Sequence, residues 1–221
     1  MGIGPGIDSS LPQQVSPSET GQGLILHGIS WATYERLLAD YQDSHAAHFA
    51  YDQGELEIMV LSLEHERLKH TLATLVEVLA EEMGIDVDGV GSTTFQREDL
   101  AKGFEPDACF YIQQAEQVAG KKRIDLSEDP PPDLVIEIDI TNPSLNKFPI
   151  YAQIGVPEIW HYDGQTLSVL KREDQTYTLV EASVVLPGIP SAQLLCFIHD
   201  SESLKRTVWL RQVREWVRQN M

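Results

Sequence analysis

The chain has no apolar run near the roughly 20 residues needed to cross a bilayer. Its first segment, Met1 to Gln22, lacks the basic start and apolar middle of a secretory leader. Together these absences lead us to expect a cytoplasmic protein with no membrane partner. Cysteine is equally scarce: Cys109 and Cys196 each sit in an apolar stretch with no second thiol nearby, which excludes a thiolate zinc site and predicts buried, reduced side chains. Basic residues are few, 16 Lys and Arg against 34 Asp and Glu, for a formal charge of −18. A net anion is repelled by every phosphate it approaches, so a protein that holds nucleic acid or anionic membrane by bulk charge is excluded, whereas a local site is not. Nothing suggests the aromatic platforms of a sugar cleft, and no internal repeat is visible. What remains is 221 residues of ordinary globular composition, 42% hydrophobic and 23% charged, enough for one sizeable core.

Residues 1–23 are rich in Gly, Ser, Pro and Gln without periodicity, which predicts a flexible tail. A short helix is expected to open at Ser30 and run through WATYERLLADY. HFAYDQGELEIMVL reads as a hairpin turning at Gly54; its second arm alternates Leu56, Ile58 and Val60 with Glu55, Glu57 and Met59, so we expect it half exposed. The strongest helical signal is SLEHERLKHTLATLVEVLAEEMG, with Leu68, Leu72, Leu75, Val76 and Leu79 on one face, Ser62 as a cap and Gly84 as a stop. Glu64 and His65 fall on the edge of that stripe, while Glu66 and Arg67 point more to solvent. Three strands follow, in VGSTTFQR, EPDACFYI and DLVIEIDI; the polar stretch 113–132 before the third is either a surface loop or lid, or a variable insertion. TNPSLNKFPIYAQIG predicts a helix stopping at Gly155, with Pro149 in its first turn or bending it. EIWHYDGQTLSVLKRED and QTYTLVEAS read as three strands with a tight turn at Asp163 and Gly164, and Ser203 to Gln219 as a last helix. This order predicts a mixed α/β sandwich with the long helix packed on a central sheet.

Two carboxylates are placed unlike the rest. Asp107 follows a proline within the second strand, and Glu137 sits inside VIEID, where Leu134, Ile136 and Ile138 take the alternate face. Val135, Glu137 and Asp139 then share a face, setting two acids side by side on a strand that otherwise reads as interior. Buried ionised carboxylates need a cation, a basic partner, a hydrogen-bond network or a proton. A divalent ion is one solution, since Mg²⁺ takes one or two carboxylates plus water and phosphate oxygens; a water-facing strand paired to Arg or Lys is the other. Lys147 lies ten positions after Glu137, at the start of the next helix, either over the carboxylates or snorkelling at the helix end. Tyr151, one turn later, shares its face. His65 and Glu64 are further candidates, with a core or capping role open for the histidine.

EPDACFYI, PPDLVIEIDI and the lysine and tyrosine of NKFPIYAQIGVPEIW resemble the Uma2 family of restriction-endonuclease-like proteins, within the PD-(D/E)XK nuclease superfamily. YDQGELEIMVLSLEHERLKHTL also resembles that family's hairpin and first core helix, and the likeness runs from about Ile29 to Ile198. It implies a restriction-endonuclease-like mixed central sheet with flanking helices, an αβββαβ core, preceded by a helix and hairpin and followed by strands and a helix. The implied organisation is a tail over 1–23, the nuclease-like domain over 24–200 and an amphipathic helix over 201–221. The resemblance also implies that Asp107 and Glu137 bind Mg²⁺, or Mn²⁺, with Glu64 as a further acid. Lys147 stands in for the lysine the superfamily places two residues after the strand acid, where this chain has Asp139. His65, Asp139 and Tyr151 would position substrate. The function implied is a Mg²⁺-dependent endonuclease acting on DNA, with a homodimer addressing both strands; the rival is a nuclease-fold module that binds or assembles without turnover.

Overall fold

The computed structural model describes residues 22–41, 47–140 and 145–221. Most of the expected tail thus lies outside the described residues, but its end does not: Gln22–Leu26 forms strand β1. It is a strand by virtue of its partner, since Leu24 sits opposite Ile58 of β3 and no local periodicity marks it. Helix α1 (Trp31–Tyr41) opens after Ser30, as its capping sequence predicts. The hairpin β2 (His48–Asp52) and β3 (Glu55–Val60) turns at Gly54, whose φ of 102° suits only glycine.

Helix α2 (Leu63–Met83) is capped by Ser62 Oγ, which accepts from the His65 backbone N–H at 3.1 Å, and stops at left-handed Gly84. β4 (Asp88–Gly91) and β5 (Phe95–Arg97) follow, then β6 (Lys102–Phe104), which the sequence pattern did not reveal. β7 (Ala108–Tyr111) begins one residue after Asp107, which therefore precedes the strand instead of lying within it. The polar stretch 113–132 holds a single helical turn, α3 (Ala115–Val118), and is pinned down by buried Val118 and Leu126, the Lys121–Asp129 ion pair and the Tyr111 hydroxyl on Pro130 O. β8 (Leu134–Ile138), α4 (Phe148–Ile154, Pro149 in its first turn), β9 (Glu158–Tyr162), β10 (Leu167–Glu173) and β11 (Thr176–Val180) match the expected order. The C-terminal region holds two helices where one was expected, α5 (Ser191–Ser203) and α6 (Arg206–Asn220). Cys196 on α5 is exposed, against expectation; Cys109 is buried.

The strands form two sheets: five strands in the order β1-β3-β2-β6-β5, and six in the order β11-β10-β9-β8-β7-β4. Within the larger sheet only β8 and β9 are parallel, because the crossover through α4 carries the chain back to the end of the sheet where β8 began. The series α2, β4, β7, β8, α4, β9 is an αβββαβ core, so the fold is the restriction-endonuclease-like α/β arrangement, with β5 and β6 diverted into the second sheet. β8 is buried on both faces. Leu134, Ile136 and Ile138 pack with α2 and with Trp209, Val213 and Val217 of α6, while Val135 packs with Ile150, Tyr151 and Ile154 of α4 and with Phe104 of the smaller sheet. Glu137 therefore emerges between the two sheets, beneath α4. A buried network ties the C-terminal part to this core: Glu158 accepts hydrogen bonds from Trp160 Nε1, Ser183 Oγ and the Val184 N–H, each at 2.6 Å.

Gly103 of β6 is required by space. A Cβ there would lie 2.1 Å from the hydroxyl of fully buried Tyr34, which seats α1 on the smaller sheet. Gly103→Ala should lower unfolding stability by about 1–3 kcal/mol, the usual cost of overpacking, in urea denaturation followed by far-UV circular dichroism; unchanged stability would show that this contact is not tight.

Candidate active site

The antiparallel register that pairs Ala108 with Ile136 brings Asp107 alongside Glu137, at the end of the sheet where β7 begins and β8 ends. Both are buried, at 4% and 2% exposure. Asp107 Oδ2 accepts the Ile138 backbone N–H at 2.7 Å and lies 3.2 Å from His65 Nε2. The same Nε2 is 3.0 Å from Ile138 O, so that nitrogen carries the proton and the other, Nδ1, is buried with no partner among the described residues. Burial alone would raise the Asp107 pKa, but the His65 hydrogen bond, the Lys147 charge and the Ile138 amide outweigh it and hold the carboxyl below the usual range.

Glu137 is held from α4. Lys147, the residue before the helix, places Nζ 2.6 Å from Glu137 Oε2, and Tyr151, one turn on, donates its hydroxyl to Oε1. Pro149 starts α4 at a position that aims both side chains at β8. Tyr151 is fully buried, edge-on to Phe104 at 4.8 Å. Burial is the largest influence on Glu137 and, with Asp107 beside it, pushes its pKa up to about 7 against the opposing Lys147 and Tyr151. Lys147 remains a cation: burial disfavours its charge, but Glu137, Asp107 and Glu57 together hold its pKa above the usual lysine range.

Asp139 faces the same way but is partly exposed and bonded to His161 Nε2 at 2.8 Å. His161 stands opposite Glu137 in the parallel register with β9, a partner that no spacing in the sequence signals. The Asp139 hydrogen bond raises the His161 pKa. Glu64 is not brought to the site. The 100° step of an α-helix turns His65 into the sheet and leaves Glu64 exposed beside Ser201, Glu202 and Arg206. Glu57 of β3, which alternation assigned to the solvent face, is 1% exposed.

A narrow crevice lined by His48, Glu57, Glu105, Asp107 and Lys147 has room for no more than one water. His48, Phe49 and Glu105 also line a neighbouring cleft of about 800 Å³, with Lys69 and Arg123 on its walls. Burial lowers the His48 pKa to about 4, so the mouth carries a neutral imidazole. Several basic side chains are paired locally: Lys69 with Glu66, Arg97 with Asp99, Lys102 with Asp52, and Arg214 and Arg218 with the acids of α2.

An αβββαβ core with acids meeting from two adjacent strands and a lysine from the crossover helix defines a restriction-endonuclease-like protein. The chain matches the Uma2 family, described as "Putative restriction endonuclease", over residues 31–195, and it belongs to that family. No curated protein matches it. Among solved structures it is similar to a "putative nuclease belonging to DUF820" from Anabaena variabilis ATCC 29413, at 13% identity over 68% of this chain and 90% of that one, with a TM-score of 0.46.

Removing the ammonium tests the electrostatics. Lys147→Met leaves Glu137 and Asp107 buried without their cation, a change that typically costs about 3–5 kcal/mol. Because Glu137 already has a raised pKa, acid neutralises it, so the loss in urea denaturation should be larger at pH 8 than at pH 5.5. Equal losses at both pH values would show that Lys147 does not offset the Glu137 charge.

Proposed function

We propose that the chain is a divalent-cation-dependent endonuclease that hydrolyses phosphodiester bonds in DNA. The observation that carries this reading is the convergence of Asp107, Glu137 and Lys147: Asp107 and Lys147 line one narrow crevice, and Lys147 is ion-paired to buried Glu137 beside it. The residues fit a divalent ion: carboxylate oxygens are the donors Mg²⁺ and Mn²⁺ prefer, and a cation, the Lys147 ammonium, already sits among them. Asp107 and Glu137 would hold the ion. When bound, such an ion supplies the charge that acidifies a water and neutralises a phosphate.

The chain's own groups do the rest. His65 and the Ile138 amide fix the Asp107 carboxylate, and Tyr151 fixes Glu137, so neither acid has to reorganise. Lys147 provides the donor aimed at developing charge on the phosphate, the part the superfamily's strand lysine would play; Asp139, at that strand position, has its charge offset by His161. The cleft beside the crevice admits the substrate. In a protein of charge −18, attraction of the polyanion depends on the bound ion, which reverses the field locally. A second copy of the chain would address the other strand.

One observation favours the non-catalytic rival: among the described residues no three His, Cys, Asp or Glu side chains are gathered tightly enough to hold a metal as they stand. The two readings part in a plasmid assay. Wild-type protein with Mg²⁺ or Mn²⁺ should nick supercoiled DNA and lose that activity with chelator; Glu137→Ala should abolish it, and Lys147→Met should slow it by about 10²–10³, as loss of one charge-stabilising donor does. Equal nicking by wild type and Glu137→Ala, or none by either, would sink the nuclease reading.

A further inference from the structure

Three buried carboxylates face one ammonium where the two sheets meet. Asp107 and Glu137 come from the larger sheet. The third, Glu57, comes from β3 of the smaller sheet and lines the same crevice as Asp107 and Lys147. Burial disfavours its charge, the Lys147 ammonium and the Leu145 backbone amide favour it, and Asp139 and Asp107 oppose it. Its Oε1 is buried and, among the described residues, has no hydrogen-bond partner. A carboxylate oxygen left in that condition is expensive, and a strand that only had to cover the sheet would do so with an apolar side chain.

We propose that Glu57 supplies the third carboxylate of the cation site, in place of Glu64. The inference rests on the reading of Asp107 and Glu137 as cation ligands and adds a residue that no superfamily strand motif contains. Three carboxylates against one ammonium leave an excess of negative charge, and a divalent ion offsets it. Glu64 supplies nothing to this sum because it is exposed on the far side of the α2 stripe. The hairpin thereby acquires a chemical role: the charge that retains the ion is complete only when the smaller sheet docks on the larger.

The test measures Mn²⁺ binding to the full chain without nucleic acid, by calorimetry and by electron paramagnetic resonance, together with the thermal midpoint with and without Mn²⁺. Glu57→Gln should weaken Mn²⁺ binding by roughly tenfold or more, and Glu57→Asp, which keeps the charge, should recover part of it. Without Mn²⁺ the midpoint of Glu57→Gln should equal or exceed that of wild type, because a neutral amide replaces a carboxylate whose Oε1 has no partner among the described residues. A lower midpoint would show that the carboxylate serves the fold, and would overturn the proposal. Undiminished binding in Glu57→Gln alongside a loss in Asp107→Asn would overturn the role of Glu57 while leaving the site intact. No binding by wild type, or no loss in Asp107→Asn, would remove the site and this inference together.

Discussion

The burial of Glu137 is the constraint on which the rest of the site depends. A carboxylate in the middle of a strand covered on both faces has to be matched by charge and hydrogen bonds, because a lone ion in that environment costs far more than a single contact returns. Lys147 and Tyr151 answer that demand from one turn of α4, and their positions explain why α4 starts with Lys-Phe-Pro and why it crosses directly over the end of β8. Asp107 has partners of its own, His65 and the Ile138 amide, and Lys147 bears on both acids, so two carboxylates that would repel one another lie side by side.

This arrangement also reconciles a strongly acidic chain with the polyanionic substrate we propose for it. Charge at a distance is screened within about 10 Å at ordinary salt, so the surface carboxylates matter less than the few groups inside the crevice. In the proposed reading those groups attract a cation, and a cation is what a phosphate needs. Lys69, Arg97, Lys102, Arg214 and Arg218 are paired with nearby acids, which reduces bulk attraction for a polyanion. The outer elements serve the site indirectly. The Glu158 network and the α5–α6 pair hold the far face of the sheet rigid, and α1 with the hairpin closes the near face.

Much of the core was readable in the chain itself. The 3.6-residue stripe of α2, its Ser62 cap and Gly84 stop are local features, and local features survive folding. Glu137 stood out because an acid interrupted a continuous apolar run, and Lys147 because it opened the following helix. Other residues were misread for a common reason. Glu57 looked like the wet side of a hairpin, yet a second sheet packs over that side; Cys196 looked like core because its neighbours Leu194 and Phe197 are core, yet it faces outward from α5. Strands β1 and β6 carry little strand signal and exist because β3, β2 and β5 pair with them.

The sequence by itself determined the αβββαβ order, the two strand acids and the lysine that follows them, because apolar periodicity, capping residues and a family's motif spacing are all written along one chain. Only the tertiary structure decided which groups complete the site. His65 rather than Glu64 turns inward, His161 meets Asp139 across a parallel register, and Glu57 arrives from a different sheet. A side chain's charge environment is set by what packs against it, and residues 57, 107, 137 and 147 become neighbours only once two sheets and a crossover helix have closed on one point.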